Sequence, residues 1–363
     1  MKKVLVLGAT GSIGSSTLDI ARNMKDDFKI CGLQCHSNKE KLEELAGEFN
    51  SCPTLLTSEE SSKDAFVDFL NKTQPDIVVN GIAGAAGLLP SKLIIENNID
   101  LALANKETIV MAGPLIKALA KKHNINLIPV DSEHSAIFNL INQAKATNIS
   151  KVIITASGGP FRNYSKEELK NVSVEAALNH PTWKMGPKIT IDSSTLANKG
   201  LEVIEAGYLF NLKREEIDVV VHPQSLVHSL VQAKDGMLYA QISDPDMKHP
   251  IYGALTYPET KENYLKPFSL FDVKMEFYKP SYELFPMLGM AFECLEKGLS
   301  YTIAFNAANE IAVHAFLNHK IQYLDIPQIV NKSLSQDLPS GISDFDSVFE
   351  IDAKVREFTR KII

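Results

Sequence analysis

Short apolar runs, each closed by small or polar residues, recur through the first third of the chain. Lys2–Leu7, Lys29–Leu33, Asp76–Asn80, Asp100–Ala104 and Ile125–Val130 are such runs. They are too short for buried helices and mostly lack polar alternation, so they read as strands covered on both faces. Between them lie stretches of helical spacing, among them Ser15 to about Asn23 and Lys39–Phe49, the latter with Glu and Lys on its outer side. Strands alternating with helices over residues 1–131 predict an α/β unit with a parallel, doubly wound, Rossmann-like sheet.

The pattern then changes. Lys151–Ala156, Val219–His222 and Met237–Ile242 read as strands with helices among them, a mixed α+β domain over 132–256. Residues 257–290 mix prolines and aromatics with little periodicity and read as an ordered linker. From Ala291 the spacing is helical, in Ala291–Lys297, Ile303–Leu317, Pro327–Leu334 and Val348–Ile363, giving a small C-terminal helical domain over 291–363. No internal repeat or low-complexity tract interrupts this plan.

Composition narrows the class. The 363 residues are 45% hydrophobic and 22% charged, which excludes a disordered chain. The net charge of −7 argues against a nucleic-acid binder, whose affinity comes largely from neutralising phosphates. No run of 18 apolar residues exists, so no membrane span is expected. The apolar run after Lys2-Lys3 stops too early for a signal peptide and reads as the first strand. Cys31, Cys35, Cys52 and Cys294 lack CxxC spacing and read as reduced thiols, which fits a cytoplasmic protein.

Three stretches carry candidate chemistry. Gly8-Ala9-Thr10-Gly11-Ser12-Ile13-Gly14 follows a strand and opens a helix, so its backbone N–H groups can cradle a dinucleotide pyrophosphate. The second strand ends in Cys35-His36-Ser37-Asn38-Lys39, without the acid that would bind an NAD ribose diol; hydroxyl, amide and cation favour NADP. Asp131-Ser132-Glu133 follows the fifth strand. If the extended backbone continues, both acids point to one side and repel unless one is protonated or a cation sits between them, for which all-oxygen ligands suit Mg²⁺ or Mn²⁺; the other reading is a helix N-cap with acids in its first turn. In Asp192–Glu202, a helix would place Asn198 and Glu202 on one face, with Ser193 and Lys199 able to reach one anion; a solvated helix start is the competing reading. Ser157-Gly158-Gly159-Pro160 can admit a phosphate. His180–Pro187 holds the single tryptophan, Trp183, between two prolines, as a lid or as a core residue.

Taken together, GATGSIG, AGAAGL, LANKE, PVDSEH, SGGPF, HPTWKMG, DSSTLANKGLE and VHPQSLVHS, in order over residues 8–229, resemble the 1-deoxy-D-xylulose 5-phosphate reductoisomerases. A weaker match extends to about Ile251. The resemblance implies conversion of 1-deoxy-D-xylulose 5-phosphate to 2-C-methyl-D-erythritol 4-phosphate on the non-mevalonate route to isoprenoid precursors. The carbon skeleton rearranges by retro-aldol cleavage and re-addition or by a ketol shift, and NADPH then reduces the aldehyde. It also implies a homodimer of three-domain chains and a divalent metal, Mg²⁺ or Mn²⁺, with Co²⁺ a further candidate.

Position by position, the resemblance assigns NADPH contacts to Thr10, Gly11, Ser12, Ile13, Asn38, Asn105, Glu107 and Gly186. It assigns the metal to Asp131, Glu133 and Glu202, and catalysis to Lys106, Asp131, Glu133 and His180. Ser132 and Glu133 meet the substrate's oxygen-bearing carbons. Ser157, Ser193, Asn198 and Lys199 take the phosphate, with the substrate-binding His180 nearby, and Trp183 and Met185 close over the carbon chain in a flap at 180–187. His228 is a second site histidine. The chain departs from the family at Cys35-His36-Ser37, where an Ala-Gly and a basic residue often stand, so only Asn38 carries over there. A semialdehyde dehydrogenase, which needs a catalytic cysteine, and a non-catalytic dinucleotide sensor are the alternatives.

Overall fold

The computed structural model describes residues 1–144 and 149–363. In chain order its elements begin β1 (Lys2–Leu7), α1 (Ser12–Asn23), β2 (Phe28–Cys35), α2 (Lys39–Glu48), β3 (Thr54–Leu56), α3 (Lys63–Thr73), β4 (Ile77–Asn80), α4 (Leu88–Glu96), β5 (Asp100–Leu103), α5 (Lys106–His123), β6 (Leu127–Pro129) and α6 (Ser132–Ala144). There follow β7 (Ile149–Ala156), α7 (Lys166–Leu169), α8 (Val174–Leu178), α9 (Pro187–Ser194), α10 (Ala197–Phe210), β8 (Ile217–Val221), β9 (Val227–Ala233), β10 (Leu238–Ile242) and α11 (Lys248–Thr256). The chain ends in α12 (Met287–Lys297), α13 (Leu299–Leu317), α14 (Asp325–Leu334) and α15 (Phe345–Ile362).

Two compact units emerge. The first comprises Met1–Thr108, Ile116–Ser135 and Asp246–Pro267; the second comprises Ile109–Leu115, Ala136–Pro245 and Phe268–Ile363. In the first, six parallel strands run in the order β3-β2-β1-β4-β5-β6. Val4, Leu5, Val6 and Leu7 of β1 and Ile77, Val78 and Val79 of β4 are fully buried or nearly so, as expected for central strands covered on both faces. The strand order reverses between β1 and β4, and ligands of such sheets bind at the carboxyl ends of strands flanking that reversal. The sequence reading found five of these strands. The sixth, β3, has three residues, below the length at which a hydrophobic period is visible.

The second unit holds a mixed four-stranded sheet, β10-β9-β7-β8, in which β7 pairs parallel with β8 and antiparallel with β9. β9 also escaped the sequence reading. It is a central strand whose His228 and Ser229 are buried, so its polar residues do not mark a solvent face. The helix α13 is buried along most of its length, with Ile303, Ala304, Phe305, Ala307 and Ala308 fully enclosed. Helices α10, α12, α14 and α15 pack near it or against it.

Candidate active site

In the first unit, the turn from β1 into α1 builds an anion cradle. Gly8 has φ +72°, and a Cβ there would stand 2.7 Å from the Gly81 carbonyl oxygen at the end of β4. Only glycine permits both the left-handed backbone and that approach. Gly11 is the N-cap of α1 and contributes no side-chain hydrogen bond, so the helix start is not closed by a cap. Thr10 and Gly11 line a cleft of about 660 Å³ with Gln34, Cys35, His36, Thr57, Gly81 and Ile82 among the other walls. A helix N-terminus, glycine walls and this volume fit a dinucleotide. Ser12 and Ile13 form the first turn of α1, three residues earlier than the periodicity predicts. Asn38 caps α2, its side chain accepting from Lys41 N–H at 3.2 Å.

Asn105 is the N-cap of α5, accepting from Thr108 N–H at 2.9 Å. Its amide nitrogen donates to Ile82 O (2.6 Å), Gly84 O (2.8 Å) and Glu107 Oε2 (3.1 Å). One buried amide therefore ties the Gly81–Gly84 loop of the cleft to the helix that carries Lys106 and Glu107.

The acids follow β6. The helix α6 begins at Ser132, so the backbone does not continue extended, and the premise that Asp131 and Glu133 point alike by strand geometry fails. The helix-start reading describes this backbone: Asp131 Oδ1 accepts from Glu133 N–H at 3.1 Å. An N-terminal helix turn favours negative charge, which explains why the acids sit there. Lys106 Nζ lies 2.7 Å from Asp131 Oδ2, and the two side chains are only 6% and 12% exposed. A carboxylate so withdrawn from water needs a positive partner, and Lys106 provides it. Ser132 Oγ donates to Glu133 Oε2 at 2.5 Å, and His134, fully buried, places Nδ1 3.2 Å from Asp131 Oδ1. The sequence reading gave His134 no role. Its signal was the i,i+3 spacing from Asp131 on a helix start. Clustered carboxylate oxygens of this kind are the donors a hard divalent cation takes.

The second unit contains a cluster of different character. His180 Nε2 lies 3.0 Å from Ser157 Oγ and 3.1 Å from Ser193 Oγ. Its Nδ1 accepts from Thr182 N–H (3.1 Å) and Trp183 N–H (2.9 Å). Two backbone donors on Nδ1 leave the ring proton on Nε2, aimed at the serines. Burial, and then the Arg162 guanidinium, push the imidazole pKa down to about 4. This is a neutral donor. Gly159, two residues after Ser157, has φ +67°, and a Cβ there would meet the Ser193 carbonyl oxygen at 2.7 Å, so glycine is what brings the two serine-bearing segments together.

The solvated reading of 192–202 does not hold. Asp192, Lys199 and Glu202 are 1%, 4% and 1% exposed. Asn198 Nδ2 donates to Glu202 Oε1 at 2.6 Å, the i,i+4 pair expected, and Lys199 forms an ion pair with Glu202. Asp192 Oδ1 accepts from Asn309 at 2.8 Å, and Tyr323 OH donates to Ser194 O at 2.7 Å, so α13 and the start of α14 anchor the segment. His228 is buried with Nε2 2.8 Å from Ser243 Oγ. Trp183 and Met185 are half-buried, which excludes a core position for Trp183, and Gly186 is the exposed N-cap of α9.

The cysteines offer no nucleophile. Cys31, Cys35 and Cys294 are buried, and burial pushes the Cys31 and Cys294 thiols up to about 12. That removes the feature a semialdehyde dehydrogenase requires.

Comparison with known proteins identifies the family. The family description "1-deoxy-D-xylulose 5-phosphate reductoisomerase" matches residues 4–65 and 54–113, the C-terminal domain of that enzyme matches 127–210, and a further DXP reductoisomerase C-terminal domain matches 242–358. The 1-deoxy-D-xylulose 5-phosphate reductoisomerase of Treponema denticola is 48% identical over 363 residues, covering 98% of this chain and 95% of the relative. Among solved structures, a DOX-P reductoisomerase in complex with NADPH, fosmidomycin and magnesium is similar with a TM-score of 0.90 at 38% identity, covering 99% of this chain and 98% of that one. The enzyme from Zymomonas mobilis in complex with NADPH gives 0.89 at 38% identity, with the same coverage. The chain belongs to the 1-deoxy-D-xylulose 5-phosphate reductoisomerase family.

Proposed function

We propose that this protein converts 1-deoxy-D-xylulose 5-phosphate to 2-C-methyl-D-erythritol 4-phosphate, with NADPH and a divalent metal, in the non-mevalonate isoprenoid pathway. The observation that carries this reading is the Lys106–Asp131 pair, held out of water beside Glu133, in a chain whose full-length relatives bear this enzyme's name. Asp131, Glu133 and Glu202 are the residues to hold the metal, which is Mg²⁺ or Mn²⁺. When bound, the metal polarises the ketone and NADPH supplies hydride.

The chain's own residues do the rest. Lys106 holds a proton and a positive charge where the substrate's carbonyl and hydroxyl oxygens react, and Ser132 and Glu133 orient those oxygens. Ser157, Ser193, His180 and Asn198 donate to the phosphate, with Lys199 as the cation. Trp183 and Met185 cover the carbon chain and exclude water from it. Binding energy from the phosphate, away from the bond changes, favours that closure. Thr10, Gly11, Ser12, Ile13, Asn38, Asn105, Glu107 and Gly186 serve NADPH. Asn38 also fixes the start of α2, and Asn105 fixes the start of α5 and holds the Ile82 and Gly84 carbonyls of the loop after β4.

Two further points extend the reading. The protein is a homodimer. β8 is bridged to Tyr278, whereas β10 ends the sheet with Met237, Leu238, Tyr239 and Ile242 exposed beside and along it, an edge that invites a second copy. It works in the cytoplasm; among the described residues no helix is long and apolar enough to cross a membrane. An assay of NADPH consumption with the named substrate, with and without EDTA, tests the function. Turnover abolished by EDTA and restored by Mg²⁺ or Mn²⁺ is expected, with kcat/KM for NADPH at least about tenfold above that for NADH. Turnover that survives EDTA defeats the reading, and a single mass for the monomer in light scattering defeats the dimer.

A further inference from the structure

Gln34, near the end of β2, has no place in the residue roles above, yet it is 3% exposed and fully engaged. Its side-chain oxygen accepts from Gly8 N–H at 2.9 Å, and its amide nitrogen donates to Thr57 Oγ1 at 3.1 Å. Its main-chain oxygen accepts from Ala9 N–H at 2.8 Å. One residue thus holds two successive amides of the β1–α1 turn. The far end is held too. Thr57 N–H donates to Cys35 O at 3.0 Å, Thr57 Oγ1 lies 3.3 Å from Cys35 O, and His36 Nδ1 lies 3.3 Å from the same hydroxyl. Gly8, Gln34, His36 and Thr57 all line the 660 Å³ cleft.

The arrangement has a physical consequence. Gly8 sits at φ +72°, a conformation that glycine can also leave readily because it carries no side chain of its own. The peptide that carries the Gly8 amide is tied at its other end by Gly81 N–H, which donates to Leu7 O at 3.0 Å, and the Gln34 bond fixes the amide end at the entry into α1, whose N–H groups make the anion cradle. Gln34 adds a side-chain constraint from a buried strand and extends it through Thr57 to the wall where His36 stands.

We propose that Gln34 is a positioning residue for the cofactor: through Gly8 N–H and Thr57 Oγ1 it pre-sets the phosphate-binding turn and couples it to the wall of the cleft formed by His36 and Thr57. This rests on the reading that the cleft takes NADPH. Preorganisation of this kind raises affinity by removing the ordering cost from the binding step, and it leaves the chemical step alone.

The test uses the full-length protein and NADPH binding without substrate, followed by the fluorescence of bound NADPH. Gln34→Met keeps the volume and deletes both side-chain bonds; Thr57→Val keeps the shape and, of those two, deletes only the far one, together with the hydroxyl's contacts to Cys35 O and His36. Gln34→Met is expected to raise the NADPH Kd about tenfold, and Thr57→Val about threefold. The double variant should show no more loss than Gln34→Met alone, because the Thr57 hydroxyl acts through Gln34. Amide exchange at Gly8–Ile13 in the cofactor-free protein should quicken in Gln34→Met, while kcat at saturating NADPH stays at the wild-type value. A merely structural role would lower the melting temperature without changing Kd, and that result overturns the proposal. Unchanged Kd in Thr57→Val overturns the coupling even if Gln34→Met fails to fold. Failure of the wild-type protein to bind NADPH would instead defeat the cofactor reading itself.

Discussion

The two clusters assigned to the substrate solve opposite problems. In the first unit, Asp131, Glu133, Lys106 and His134 crowd titratable groups together, with Lys106 and His134 buried and the acids partly so, and the Lys106 cation faces the Asp131 carboxylate. In the second, Ser157, His180 and Ser193 present donors without charge, and the imidazole is kept neutral by burial and by Arg162. On the proposed reading, charge is concentrated where charge must develop during reaction, and neutral donors stand where a phosphate would arrive already charged. Lys199 is the exception in the second unit: a fixed cation beside the neutral donors, balanced in this structure by Glu202. A neutral donor set does not trap a proton or a counter-ion that the ligand would have to displace, and a paired lysine is not left as a bare buried charge.

Removing charge from the acids proposed to hold the metal should have the largest effect. Asp131→Asn and Glu202→Gln keep shape and lose a formal negative charge. Each is expected to lower kcat by about a thousandfold, the loss of several kcal/mol of metal-derived transition-state stabilisation. NADPH affinity should stay nearly unchanged. Calorimetry with Mn²⁺ is the check: wild-type metal affinity in either variant breaks the assignment of that acid. In Glu202→Gln the Lys199 charge loses its partner as well, so a melt of the same variant separates lost metal from lost stability.

Next in size comes the exception. Lys199→Ala deletes the one fixed cation assigned to the phosphate, a charge-assisted interaction of roughly 1.5–3 kcal/mol, so KM should rise by about ten- to a hundredfold. Ser193→Ala removes a neutral donor worth about 0.5–1.5 kcal/mol and should raise KM only about two- to tenfold. Lys199→Ala also leaves Glu202 buried without its ion pair, so its melting temperature should fall while that of Ser193→Ala hardly moves. Equal KM effects from the two variants would erase the distinction between charged and neutral recognition within this cluster.

Much of this was legible beforehand, and the reason differs between the regions. The glycine loop announces itself because Gly8 is forced by its backbone and by the Gly81 carbonyl, a constraint that leaves a mark in residue type. The acids were legible as acids but not in their geometry, because a strand and a helix start both tolerate Asp-Ser-Glu. The burial of 192–202 was not legible at all. Its polar residues look solvated until Asn309 and Tyr323, more than a hundred positions away, are brought against them. β3 and β9 were missed for a related cause: one is too short to show a period, and the other carries buried polar residues that break it. Gln34 was passed over because a glutamine in a strand carries no motif, and its role exists only in two contacts.

Trp183 tests the lid beside the neutral cluster. It is half-buried, and its backbone N–H already binds His180. Trp183→Ala should therefore cost less than the roughly 3–5 kcal/mol of a core tryptophan while lowering turnover. A phosphonate–hydroxamate ligand with metal and NADPH should shift the emission of this single tryptophan, and EDTA should abolish the shift. A melt showing the full core penalty would make Trp183 structural.

The smallest expected effect bears most directly on the comparison. A histidine in water titrates near 6.5, and His180 does so near 4. Between those values the unfolded chain binds a proton that the folded protein refuses, so stability should fall as pH drops from 6.5 toward 4 and gain nothing further from this group above 6.5. Carboxylates begin to titrate at the lower end, so the clean window is pH 5 to 6.5. His180→Gln, which keeps a donor but cannot titrate, should flatten the His180 part of that slope. Within the same window the imidazole resonances of His180 should stay those of the neutral ring with its proton on Nε2, because Thr182 and Trp183 occupy Nδ1 as donors and Arg162 opposes a second charge. Isotope-edited NMR of the ring decides it. Protonation near 6.5 would mean that the second unit, too, meets the phosphate with a titrating cation, and the contrast between the two clusters would collapse into a difference of degree.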